Sequence, residues 1–136
     1  MRGDIWDSQL PNYPDAQLYT SNGRRFIAPR NTNWCAIKSA GQANGYLGAN
    51  AAIGQYGTFD LQRSGGKYRP EYIDASNYGV GVYMQGAGAG IALLNAAGGA
   101  YSYLYSSNAN SPKQSLWWDN GWGDANDNRL NCACYN

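Results

Sequence analysis

The sequence contains no histidine. That absence excludes Ser-His-Asp and Cys-His nucleophilic catalysis and the HExxH metal site together, because each needs an imidazole as base or ligand. Glutamate occurs once, at Glu71, and charged residues make up only 14% of the chain, against roughly a quarter in ordinary domains. Asn, Gln, Ser, Tyr and Gly supply the polarity instead, so the surface should be largely uncharged yet hydrogen-bonding. Cysteine is sparse: Cys35, Cys132 and Cys134. The last two flank one residue and would bond to each other only with strain, whereas a bridge from Cys35 to either is geometrically open. The odd thiol argues against a dedicated disulfide scaffold. Three thiols without an imidazole do not compose an ordinary zinc site, so neither metal nor cofactor is expected.

At 136 residues with a 43% hydrophobic fraction, the chain is long enough to bury one core without staples. Its net charge of +1 hides an asymmetry. Arg24, Arg25, Arg30, Lys38, Arg63, Lys67 and Arg69 oppose only Asp60 within residues 24–70, while acids dominate outside that span. A basic middle can attract phosphate, nucleic acid or anionic lipid, or form a solvated face balanced by an acidic tail. The opening MRGDIWDSQ places acids where a signal peptide carries a hydrophobic run, and it reads as the boundary of a module released from a longer parent.

YTSNGRRFIAP predicts a hairpin, since Asn22-Gly23 suits the positive φ angles of a type I′ turn. Asn31 and Thr32 offer caps for a helix from about Asn33, ended by Gly41 or Gly45. Leu47 to Tyr56 reads as a short, glycine-weakened helix, Thr58 to Gln62 as extended, and YRPEYI as extended up to Asp74. Asp74 is placed to cap a helix over ASNYGVGVYMQ. Ile91 to Tyr105 is apolar on nearly every side, which predicts a central helix. Ser111-Pro112 starts the last helix, KQSLWWDN continues it and Gly121 stops it, leaving a loop-like tail. The expected fold is mainly α: a small single domain with a buried helical pair and one or two short β-hairpins. Residues 1–33 form an irregular hairpin arm, 34–125 a helical body and 126–136 a tail.

Candidate chemistry concentrates between Tyr56 and Gly90. Asp60 or Asp74 with Glu71 is the one pairing there that offers two carboxylates for acid–base work. A single glutamate among several cations reads equally as a salt-bridge partner. Arg63, Lys67 and Arg69 with Tyr68 could clamp a phosphate, because guanidinium forks match its oxygens. Asp124, Asn126 and Asn128 resemble half a calcium loop, but Arg129 replaces the loop glycine, so a capped turn is expected. Trp117, Trp118 and Trp122 could stack sugars or bases, or anchor a core. Residues 75–112 carry no charge, enough for a membrane hairpin of two short segments, but glycine, serine and asparagine dilute it, so a buried helical pair is the favoured reading.

Several pieces occur together in order: Phe59-Asp60-Leu61-Gln62-Arg63, Asp74-Ala75-Ser76-Asn77-Tyr78, Gly81-Val82-Tyr83-Met84 and Gly86-Ala87-Gly88. Ser106-Ser107-Asn108-Ala109, Trp117-Trp118, Gly121-Trp122 and Asp124-Ala125 follow. This order resembles the C-terminal toxin domains of bacterial polymorphic toxins, carried at the ends of Rhs-type and other contact-dependent effectors. The likeness spans Tyr56 to Ala125. It implies a secreted effector delivered into a competing bacterium by a larger carrier polypeptide or secretion apparatus, and made with a cognate immunity protein. It marks Asp60, Gln62, Arg63, Asp74 and Asn77 as polar positions to test. That family includes nucleases, NAD-consuming enzymes, peptidoglycan hydrolases and pore formers, so the likeness implies no single mechanism.

The combined expectation is a toxin acting as a hydrolase or transferase on an anionic or glycan target. Asp60, Arg63 and Glu71 are its catalytic candidates; Gln62, Arg69, Asp74, Asn77 and Trp117 are its substrate-binding candidates. The alternatives are a pore former that inserts residues 75–112 into a membrane and a non-catalytic glycan-binding module.

Overall fold

A computed structural model describes residues 9–55, 57–105 and 112–130. The expected Ser111 cap, the first eight residues, Cys132 and Cys134 lie outside them. Strands β1 (Ala16–Ser21) and β2 (Arg24–Pro29) form an antiparallel hairpin. The turn is the one its residues favour: Asn22 and Gly23 have φ of 52° and 76°. Five helices follow among the described residues: α1 (Trp34–Asn44), α2 (Ala49–Ile53), α3 (Ile73–Gly86), α4 (Ile91–Tyr105) and α5 (Pro112–Asn126). The domain is mainly α with one hairpin and a packed helix pair, as expected.

The α1 cap is Asn33, one residue past the expected pair, and its Oδ1 accepts from the Ala36 amide at 3.0 Å. The segments expected to be extended instead coil into 3-10 turns at Leu61–Gly66 and Pro70–Tyr72. Proline is tolerated there because it sits in the first turn, where no amide bond is lost. Helix α3 consequently begins at Ile73, and Asp74 lies inside its first turn without acting as a side-chain cap.

The packed pair is α3 with α5 rather than the two helices of residues 75–112, and α1 covers another side of α3. Glycines let the backbones meet. A Cβ on Gly81 would fall on the Trp118 carbonyl oxygen and 2.8 Å from the Trp122 amide nitrogen. One on Gly121 would fall on the Tyr78 carbonyl oxygen. On the α1 side, Gly41 faces the Tyr83 carbonyl and Gly86 the Lys38 carbonyl in the same manner. Gly121, expected to stop α5, is therefore an interior contact, and the helix continues to Asn126. Helix α4 departs from its expected central place. Leu94 is buried, while Ile91 and Leu93 are 41% and 46% exposed.

An aromatic cluster joins the hairpin to these helices. The Phe26 ring lies 4.8 Å from Tyr78 and 5.0 Å from Trp117, and Trp34 meets Tyr78 edge-on at 4.9 Å. Each such pair contributes about 0.5–1.5 kcal/mol beyond its buried area. Beside the cluster, buried Asp124 accepts from Ser21 Oγ at 2.6 Å, Tyr78 Oη at 2.7 Å and Arg129 Nε at 2.8 Å. This carboxylate holds strand β1, helix α3 and the turn after α5 together, so the calcium-like spacing is a structural turn. Cys35, at the α1 N-terminus, is disulfide-bonded.

Candidate functional site

Loop 57–69 is pinned before it reaches α3. Thr58 and Phe59 donate backbone amides to the Ala51 and Ala52 carbonyls at 3.0 and 2.7 Å. Asp60 then caps the 3-10 turn: its Oδ1 accepts from the Gln62 amide at 3.2 Å and its Oδ2 from Arg63 Nη1 at 2.8 Å. The Asp60 carboxylate is nearly buried, with 4% of its side chain exposed. Arg63 extends over the Tyr68 ring at 5.3 Å, and Gln62 Nε2 donates to the Tyr68 hydroxyl at 3.2 Å. The Arg69 amide donates to the Gln62 carbonyl and closes the loop.

This loop forms one wall of a cavity of about 370 Å³. Helix α3 supplies Ile73, Val80 and Met84 to the opposite wall, and Leu94 of α4 and Trp118 of α5 complete it. Trp118 is held in place, because its Nε1 donates to Asn77 Oδ1 at 2.9 Å while Asn77 Nδ2 donates to the Ile73 carbonyl at 3.0 Å. Tyr46 and Tyr68, each more than half exposed, stand among the lining residues. A largely apolar cleft with a few convergent polar groups, at the small end of the usual size range, suits a small ligand or a short polymer segment.

The structure brings Asp60, Gln62, Arg63 and Asn77 to this cavity. The other expected site residues stand elsewhere. Arg69 makes a bidentate pair with Asp15, at 2.8 and 2.9 Å, and binds Glu71 Oε2 through Nε at 2.6 Å. Its guanidinium also lies 4.8 Å from the centre of the Tyr72 ring. Arg69 and Glu71 thus clamp the hairpin to the start of α3. The two carboxylates hold the Arg69 pKa above its ordinary value, and burial pushes the Tyr72 phenol up to about 12. Asp74 pairs with Lys113 at 3.5 Å, and burial raises its carboxyl pKa, with Lys113 offsetting part of the rise. Trp117 is 3% exposed in the aromatic cluster and is a core residue.

Gln114 and Tyr46 were not singled out from the sequence, and of the candidate tryptophans Trp118, rather than Trp117, lines the cavity. Helical spacing was the available signal. Positions 114 and 118 share one face of α5, while 117, 121 and 124 share the face toward the hairpin and α3. Adjacent tryptophans on a helix point about 100° apart, so one enters the core and the other the cleft. Among the described residues, no group of three acids or cysteines is positioned to hold a metal ion. None of the described helices is long and apolar enough to cross a membrane. Comparison with known proteins finds no matching family model, no matching curated protein and no matching solved structure.

Proposed function

We propose that the chain is the effector domain of an antibacterial toxin and that the Asp60–Arg63 cleft is its working site. In this reading it is carried by a larger polypeptide or secretion apparatus, enters a competing bacterium and is neutralised by a cognate immunity protein. Its activity is hydrolysis or group transfer on an anionic or glycan target. The observation that supports it is the convergence of Asp60, Gln62, Arg63 and Asn77 on one apolar-walled cavity, although Asp60 and Asn77 stand 17 positions apart in the sequence.

The chemistry follows from the groups present. Asp60 fixes the Arg63 guanidinium, which can then donate to an oxygen on which charge develops, without reorganisation during the reaction. Asp60 is the carboxylate that can take a proton from a water or hydroxyl in the cleft. Glu71 is turned to Arg69 and is not among the described residues that line the cavity, so a two-carboxylate mechanism is not part of the proposal.

Inducible expression in a bacterial host, with and without an export signal, tests this reading. Growth arrest in one compartment, abolished by Arg63→Ala, is expected. Normal growth with abundant folded protein in both compartments contradicts it. The single cleft carboxylate also favours a second reading, a glycan-binding module without catalysis. That reading expects sugar binding and normal growth.

A further inference from the structure

The basic middle of the sequence does not converge on the cleft. Of its seven cations, Arg63 alone lines the cavity. Arg69 is turned to Asp15 and Glu71, Lys38 is buried with Nζ on the Ala125 carbonyl at 2.9 Å, and Arg30 donates to the Pro14 carbonyl at 3.1 Å. Arg63 is itself matched by Asp60 at 2.8 Å, so the charged part of the described lining sums to zero. An anionic polymer needs several cations that face its backbone together. Here an incoming phosphate would meet one guanidinium with a carboxylate directly behind it, and the two fields largely cancel.

What remains in the lining is neutral and ring-matching. Asn50 brings a whole amide side chain, and Gln62, whose Nε2 donates to Tyr68, brings an amide oxygen. That combination matches vicinal hydroxyls, which also donate and accept. Tyr46 and Tyr68 are 52% and 56% exposed at the same cavity. Gln62 and Arg63 hold Tyr68 in place, so its ring reaches a ligand with little loss of side-chain freedom.

We propose that the cleft binds an uncharged glycan, seating one or two sugar rings against Tyr46 and Tyr68 with their hydroxyls on the amide side chains and the Asp60–Arg63 pair. This rests on the cleft being the working site and selects the glycan arm of the target over the anionic one. In the hydrolase or transferase reading, Arg63 contributes a directed hydrogen bond to the sugar oxygen on which charge develops, not a net positive field.

Calorimetric titration of the purified full chain tests the assignment, with cellobiose, maltose and N,N′-diacetylchitobiose as neutral probes and AMP and inorganic phosphate as anionic ones. The expected result is binding of at least one disaccharide with an affinity that is nearly unchanged between low and high salt. Tyr68→Ala should weaken it about tenfold, the scale of one lost ring-stacking contact, with an unchanged melting temperature. Tyr46→Ala serves as the second rim variant should the first alter folding. The proposal is overturned by AMP or phosphate binding that collapses with salt, by no binding across the panel, or by sugar binding indifferent to both tyrosines. Growth arrest with anion binding would remove the glycan and keep the effector; sugar binding without growth arrest would do the reverse.

Discussion

Gly81 of α3 and Gly121 of α5 face each other's helix so closely that each occupies the space of an absent Cβ. A methyl on Gly81 would meet the Trp118 carbonyl and the Trp122 amide, and one on Gly121 would meet the Tyr78 carbonyl and, at 3.2 Å, the Val82 amide. Backbone cannot swing aside as a side chain can. Gly81→Ala or Gly121→Ala should therefore destabilise the domain by about 1–3 kcal/mol or more, the cost of overpacking. Gly79 is the internal control, because its nearest neighbours, Ile37 and Trp34, stand at 3.7 Å. Gly79→Ala should be neutral or stabilise by up to about 1 kcal/mol through helix propensity. Urea unfolding of the three variants checks the contrast, and equal effects at positions 79 and 81 would contradict it.

The Asp124 carboxylate predicts a second asymmetry. Asp124→Ala leaves the buried Tyr78 hydroxyl and Ser21 without their acceptor, which should cost about 3 kcal/mol or more. Ser21→Ala removes one donor and leaves the carboxylate its other two, so about 1 kcal/mol is expected. Chemical denaturation distinguishes the two, and similar losses would mean that the network does not act as a unit.

Asp74 predicts a pH dependence of definite sign. Burial holds its folded pKa above the unfolded value of 3.8, so the folded state binds the proton more tightly. Its contribution to stability is therefore present in acid and is lost as pH rises from 3.8 through the folded value. Asp74→Asn should match the parent in strong acid and become the more stable protein as pH approaches neutrality. Asp15 behaves oppositely: Arg69 lowers its pKa, and the stability it adds is lost as pH falls through its folded value. Both proteins share that loss, so the difference between their stability–pH curves isolates Asp74. A difference that shrinks as pH rises would refute the assignment.

The disulfide at Cys35 uses two of the three cysteines. One thiol should thus react with Ellman's reagent in denaturant without reductant, and three after reduction. Peptide mapping should place Cys35 in a link to the CACYN segment. Three reactive thiols in protein oxidised in air would contradict the bridge.

Local chemistry made some features readable from sequence and left others hidden. The Asn22-Gly23 turn and the Ile91–Tyr105 helix depend on φ preference and unbroken helical spacing, and both were legible. The course of α5 through Gly121 was not, because glycine reads as a stop when nothing in the local sequence announces a helix packed against it. The outer position of α4 was hidden similarly: its apolar surface suggests a center, but the glycine-lined crossing gives that place to α3. At the site, Asp60, Gln62 and Arg63 stood out as polar candidates, but the 3-10 turn that Asp60 caps did not, because residues 58–62 read as extended. The diversion of Glu71 and Arg69 was not readable either, since their partner Asp15 is 54 residues from Arg69.

The most direct test of the account is growth of a bacterial host expressing four chains at equal level: the parent, Asp60→Asn, Arg63→Ala and Glu71→Gln. Folding of each is verified by its melting curve. The account predicts growth arrest by the parent and by Glu71→Gln, with arrest lost in Asp60→Asn and Arg63→Ala. Arrest by all four folded chains, or its loss in Glu71→Gln alone, would contradict the cleft as the working site.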